Sequence, residues 1–341
     1  MILEKKVSHP LLESTIGHLN HVACIFAPMK HYMGRLYQAL YRASSSNGFA
    51  RLSCKESSDL ETHLSFLAAA KRGLSLNNLV FRKPTMIYRS DASEFGIGGY
   101  SLVSGVAWRF ELPLDCRLRT SLNSLEFLGC IISIWIDCFH SVIEPESCIL
   151  SQTDSTSAMG WLRKSNFADR QDEFVQLSSA RRLAAILLEA NCCLFSQWFP
   201  GNYNSIADSL SRDFHINDGH LSNLLPSHFP HQAPFGLTIL PVPPEIVSWL
   251  TCLLLSQPQK EPWSKEPTRS KFVLGVVSEN ISSTLESSMI TTSISSPDLN
   301  GLRSSAHLVT QSEKADFVMD TVVKSSNLNQ LEPPWTAYRR S

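Results

Sequence analysis

Four acidic residues, Asp91, Glu126, Asp154 and Asp208, stand in this chain of 341 residues in contexts that suit phosphodiester hydrolysis. That reaction at neutral pH needs an activated water, a stabilised leaving oxygen and neutralisation of the charge building on phosphorus. Two magnesium ions roughly 3.5 to 4 Å apart supply all three. Magnesium, or manganese in its place, takes hard oxygen ligands and keeps several waters, so three or four convergent carboxylates are a suitable protein contribution. In such a site Asp91 would bridge the two ions, Glu126 and Asp154 would bind one, and Asp208 the other. Singly, each carboxylate has a plainer reading. Asp154 suits the N-cap of the helix that follows it, and Asp208 suits a first helical turn favoured by the helix dipole. Glu126 resists such a reading, because a carboxylate buried among Leu122, Leu125, Phe127 and Leu128 needs a partner or a metal.

The acids depend on the elements that deliver them. Met86-Ile-Tyr-Arg-Ser-Asp91 reads as a buried strand ending at the first acid, and Gly96-Ile-Gly-Gly-Tyr100 as a second strand. A long apolar helix over 121–139 carries Glu126, a strand over 148–153 delivers Asp154, and a helix beginning near Ile206 carries Asp208. Helices over 155–164 and 172–190 and a strand over 192–199 complete the alternation. It predicts an α/β fold, a mixed five-stranded sheet flanked by helices, over residues 84–215. Residues 1–80 read as a small helical region, with helices over 11–25, 29–43 and 59–71 and a break at Pro28. Residues 216–256 form a Pro-rich extension with one short helix ending near Leu255. Residues 257–341 have the Ser/Thr/Asn-rich composition of a largely disordered linker.

With 43% hydrophobic and 18% charged residues, the chain can build a sizeable core. A formal net charge of -1 gives no global basic field, so contact with nucleic acid must come from local patches. That disfavours a pure nucleic-acid-binding module. Arg163, Lys164, Arg170, Arg181 and Arg182 could form a phosphate-facing stripe with Trp161 beside it, although solvated helix faces explain those charges equally well. Nine cysteines without a CxxC pair, and an N-terminus without an apolar leader, predict an intracellular, reducing compartment, cytoplasm or nucleus alike. The apolar run from Leu125 to Ile143 carries Glu126 and Asp137 and is expected to be a core helix, with no membrane partner. His215, His220, His228 and His231 have no cysteine among them and match no common zinc spacing, so a polar, proline-broken loop is expected there.

Four segments carry a family resemblance: Ser90-Asp91-Ala-Ser93, Asn123-Ser-Leu-Glu126, Thr153-Asp154-Ser-Thr-Ser-Ala158, and Trp198-Phe-Pro-Gly201-Asn-Tyr-Asn204-Ser-Ile-Ala-Asp208-Ser-Leu-Ser-Arg212. Together they resemble the ribonuclease H domain of retrotransposon polyproteins, of gypsy or DIRS type. The stretch from Leu12 to His21, with Pro28 and the helix after it, is similar to the thumb and connection region that precedes ribonuclease H there. The resemblance implies a ribonuclease-H-like fold and cleavage of the RNA strand of RNA/DNA hybrids by Asp91, Glu126, Asp154 and Asp208 with two magnesium or manganese ions. It also implies partnership with other polyprotein domains, whether polymerase, integrase or recombinase. Ser93, Asn123, Ser155 and Asn204 would then contact the hybrid through short polar groups, and Arg163 and Lys164 through its phosphates. Two departures stand out. No Tyr-x-Asp-Asp polymerase motif is present, and no histidine occurs between His140 and His215, where many ribonucleases H carry one before the final aspartate. Two rival readings are a non-catalytic retroelement remnant serving as a connection module, and a DNA strand-transferring integrase or transposase of the same fold superfamily.

Overall fold

The structure, a computed structural model, describes residues 6–80, 82–163 and 172–259. Lys6–Ser8 (β1) leads into His9–Ile25 (α1) and Gly34–Ser45 (α2), and Phe49–Arg51 (β2) returns antiparallel beside β1 before Cys54–Ala70 (α3). Pro10 opens α1, where its missing N–H costs nothing. A reciprocal pair, Ser53 with Glu56, caps α3. The helix expected over 29–43 is divided: a tight turn of 3-10 helix covers Ala27–Tyr32, and α2 begins only after it. Pro28 sits in the first turn of that 3-10 segment, one of the few helical positions it tolerates.

The sheet follows. Met86–Ala92 (β3), Gly96–Ser101 (β4) and Val106–Glu111 (β5) form an antiparallel meander, and Leu122–Phe139 (α4) leads to Cys148–Thr153 (β6), parallel to β3. Thr156–Arg163 (α5) and Glu173–Glu189 (α6) precede Cys193–Trp198 (β7), which lies parallel to β6. Ser205–Arg212 (α7), Asp218–His228 (α8), Thr238–Ile239 (β8) and Pro244–Leu255 (α9) finish the described chain. The strand order is β7-β6-β3-β4-β5-β8, a mixed sheet of six strands rather than the expected five. The sixth comes from the Pro-rich extension: the Thr238 N–H donates to Gly105 O at 2.8 Å and the Leu240 N–H to Ala107 O at 2.8 Å. Two residues are too few to show an alternating pattern.

The loop expected around the late histidines is also corrected, because residues 218–228 are helical. Asn217 caps α8 by accepting the His220 N–H at 2.8 Å, and Leu221 and Leu225 bury one face. Pro226 is confined to the last turn.

Helices cover both faces of the sheet. On one, Gly129 of α4 packs against Ser90 and Ile97; on the other, Leu210 of α7 packs against Gly98. Every residue of β3, β4 and β6 is buried, as a strand covered on both sides must be. α4 is long and apolar enough to cross a membrane by length and composition, yet 72% of it is buried here, in keeping with a core helix. The N-terminal helices share that core. Tyr32 donates its hydroxyl to Leu177 O of α6 at 2.9 Å, and Arg35 pairs with both Asp59 and Glu173. The linker expected over 257–341 falls, from residue 260 onward, outside the described residues.

Candidate active site

Each acid reaches the site for a local reason. Asp91 lies near the C-terminal end of β3, where side chains alternate between the faces. Ser90 therefore turns to α4, with its Oγ 3.4 Å from Cys130 Sγ, while Asp91 turns to α7. Gly98, paired with Asp91 across the strands, keeps that face open for α7: a Cβ there would lie 2.5 Å from Leu210 Cβ and 2.6 Å from its carbonyl carbon. The final motif then divides its labour along one helix. Leu210 packs on the sheet, while Asp208, Ser211 and Arg212, at i, i+3 and i+4, share the face toward Asp91. Ser211 Oγ donates to Asp91 Oδ2 at 2.6 Å. Arg212 Nε donates to Asp208 Oδ1, and its Nη2 lies 3.7 Å from Asp91 Oδ2.

Asp154 follows β6 and Glu126 projects from the second turn of α4. Ser155, not Asp154, caps α5, by accepting the Ala158 N–H at 3.2 Å, which leaves the Asp154 carboxylate for other work. Gly201 makes room for it, since a Cβ there would lie 2.7 Å from Asp154 Oδ2. Glu126 Oε2 is buried with no hydrogen-bond partner, and the nearby Ser155 hydroxyl favours the ionised form of the glutamate.

The electrostatics tie the four together. Burial pushes Asp91 up to about 8; the charges of Asp208 and Asp154 add to the shift, while Arg212 and the Ser211 hydroxyl oppose it. Burial pushes Glu126 up to about 7, with Asp154 again raising and Ser155 and Arg212 lowering it. Burial raises Asp154 too, and Asp208 adds to that. Asp154 is thus the shared member, felt by both Asp91 and Glu126. Arg212 pairs with Asp208 and Asp91, and its charge also acts on Glu126 and Asp154.

An all-oxygen donor set with an orphaned Glu126 oxygen fits a hard divalent cation. Among the described residues, however, no three histidine, cysteine, aspartate or glutamate side chains are grouped closely enough to hold an ion as they stand. The cation in the cluster is Arg212.

The expected substrate contacts fare unevenly. Asn123 is exposed in the first turn of α4, beside Glu126. Ser93 is corrected: it is 4% exposed, donates to Ser211 O at 2.7 Å and accepts from the Phe95 N–H, so its hydroxyl locks a turn. Asn204 is corrected likewise, being 1% exposed and donating to Ser90 O at 3.1 Å, which fastens the start of α7 to β3. Ser155 is 9% exposed and its hydroxyl is used in capping α5. Arg163 ends α5 with an exposed side chain, and Lys164 and Arg170 lie outside the described residues. Arg181 and Arg182 do not extend a stripe: Arg181 donates to Thr62 Oγ1 at 2.7 Å, and Arg182 stacks over Trp135 and Trp249. Trp161 packs edge-on against Phe127 as part of the core.

Three positioning residues had no role assigned from sequence. Ser211 and Arg212 were legible in principle, since i+3 and i+4 from Asp208 fall on its helical face. Arg89, 3% exposed, is different: it donates to Gln152 Oε1 at 2.9 Å and Tyr203 O at 3.0 Å and lies over Phe199, joining β3, β6 and the loop before α7. Nothing in a strand sequence marks such a bridge. Comparison with protein-family models, with curated proteins and with solved structures finds no match to this chain.

Proposed function

We propose that this chain is a ribonuclease-H-type endonuclease, with a ribonuclease-H-like fold, that hydrolyses the RNA strand of RNA/DNA hybrids as part of a retroelement polyprotein. The observation that carries the reading is that four carboxylates, from β3, α4, the end of β6 and α7, lie within electrostatic reach of one another and of Arg212, although not close enough as they stand to share an ion. Mixed sheet order, helices on both faces and the sequence resemblance support it. Asp91, Glu126, Asp154 and Asp208 would hold the two magnesium or manganese ions, which when bound supply an activated water and neutralise charge on the scissile phosphate. The chain's own residues set the geometry. Ser211 fixes one Asp91 oxygen, and Arg89 and Asn204 fasten the loop and helix that present Asp208. Asn123, exposed one turn before Glu126, is placed to meet a ribose hydroxyl. A labelled RNA/DNA hybrid incubated with the protein and magnesium is expected to be cut to 3′-hydroxyl and 5′-phosphate ends. Asp91→Asn is expected to abolish cutting, and equal activity in that variant would end the assignment.

One observation favours a second reading, a non-catalytic remnant that keeps the fold as a connection module. Arg212 neutralises part of the cluster without any metal. Calorimetric titration with manganese separates the two, since a remnant binds none in a manner that depends on Asp91 and Asp154.

A further inference from the structure

We infer that Arg212 is a built-in counter-ion that occupies the carboxylate cluster in the metal-free protein and leaves Asp91 when a divalent cation binds, so that cation and guanidinium compete for the same oxygens. The inference rests on the metal-site reading of Asp91, Glu126, Asp154 and Asp208 and adds how that site is regulated.

Three observations carry it. First, the contacts of Arg212 with these two aspartates are unequal: it hydrogen-bonds Asp208, but its Nη2 lies 3.7 Å from Asp91 Oδ2, beyond hydrogen-bond range. The Asp91 contact is therefore the weaker one and the first to yield. Second, Arg212 stands four residues after Asp208 on α7, and its side chain is 22% exposed. It can swing toward solvent about its own rotatable bonds, keeping Asp208, while the backbone stays fixed by Leu210 on Gly98. Third, its charge acts on Asp91, Glu126 and Asp154 alike. Without it, four acids would crowd a site largely removed from water, a costly arrangement. Arg89, which shares β3 with Asp91, is committed to Gln152 and Tyr203.

Two cations that share ligands oppose each other's binding by equal factors. Arg212→Gln keeps length and polarity but removes the charge. The full chain carrying it is expected to bind Mn2+ about tenfold more tightly than wild type, within the usual range for coupling between two competing cations. Its metal-free thermal midpoint should be lower. Arg212→Lys, which retains a charge, should bind Mn2+ more nearly like wild type. Free guanidinium ion, far below denaturing concentrations, should weaken Mn2+ binding to Arg212→Ala and leave wild type unaffected; a merely structural arginine would not produce that response. Unchanged or weaker Mn2+ affinity in a folded Arg212→Gln protein, with wild type binding Mn2+, overturns the counter-ion role and leaves the metal site standing. Failure of both proteins to bind Mn2+ overturns the metal-site reading itself, and the counter-ion role with it.

Discussion

Ser211 Oγ donates a hydrogen bond to Asp91 Oδ2 at 2.6 Å, joining the C-terminal turn of α7 to the end of β3 across 120 residues of sequence. Both groups are buried. The bond does two things at once: it orients one carboxylate oxygen and favours the ionised form of an acid that burial otherwise pushes up to about 8.

Ser211→Ala therefore raises the Asp91 value further. On the proposed metal-site reading, an ionised Asp91 is the form that would bind a cation, so the loss is largest at neutral pH and shrinks as pH rises. The variant is expected to show a pH profile for hybrid cleavage, or for Mn2+ binding, displaced to higher pH, with about 1–3 kcal/mol of stability lost for the orphaned oxygen. Superimposable profiles for variant and wild type would dismiss the role given to the hydroxyl.

Gly98 and Leu210 test the seating of α7. A methyl at position 98 would lie 2.5 Å from Leu210 Cβ, so Gly98→Ala must push the helix outward. A cost of about 1–3 kcal/mol is expected for such overpacking, together with weaker Mn2+ binding because Asp208 moves with α7. Gly160, in α5, has nothing within 4 Å of an added Cβ. Gly160→Ala should leave metal binding alone and stabilise the protein by about 0.5–1 kcal/mol through helix propensity. Equal midpoints for the two variants in urea denaturation would count against the close approach of α7.

The contrast between these glycines shows what a sequence can disclose. The strand ending at Asp91 and the helix carrying Glu126 were readable because buried strands and long core helices impose continuous apolar runs; the observed α4, Leu122–Phe139, begins one residue inside the expected span. Asp154 and Asp208 were readable because their neighbours carry turn and helix-start signals. What was hidden depends on distant partners. The edge strand β8 exists only because Gly105 and Ala107 offer carbonyls to it. Ser93 and Asn204 looked available because nothing local shows that Ser211 and Ser90 carbonyls would claim them. Arg212 had no assigned role, because nothing local shows that Asp91 comes within 3.7 Å of it.

The docking of the N-terminal helices hinges on Arg35. It makes two parallel bonds to Asp59, at 2.7 and 2.6 Å, and one to Glu173 at 2.6 Å. The Asp59 side chain is only 2% exposed, so deleting the guanidinium leaves an uncompensated carboxylate in the interior. Arg35→Ala is expected to cost about 3–5 kcal/mol and to speed amide exchange in α3 and the first turns of α6. Exchange confined to α2 would show that the pairing does not join the two regions.

Asp137 offers a check on the core that is independent of any metal. It is 1% exposed on α4 and accepts the Tyr88 hydroxyl at 2.9 Å, and burial lifts its carboxyl from 3.8 to about 6. The folded chain therefore holds this proton more tightly than the unfolded chain does. The stability it contributes is full below about pH 4 and is lost as pH rises through 6, a change of about 3 kcal/mol for a two-unit shift. Asn keeps an oxygen for Tyr88 and carries no charge at any pH. Asp137→Asn should thus flatten the fall in stability between pH 4 and 6 and exceed wild type by up to about 3 kcal/mol at pH 7.5. Asp91 and Glu126 are shifted in the same direction, so the variant should still lose stability toward pH 8, and a bound divalent cation should restore it. Urea midpoints measured across that range decide the matter: parallel curves for variant and wild type would mean that Asp137 is already ionised in the folded protein and that the hydroxyls of Tyr88 and Ser104 compensate its burial.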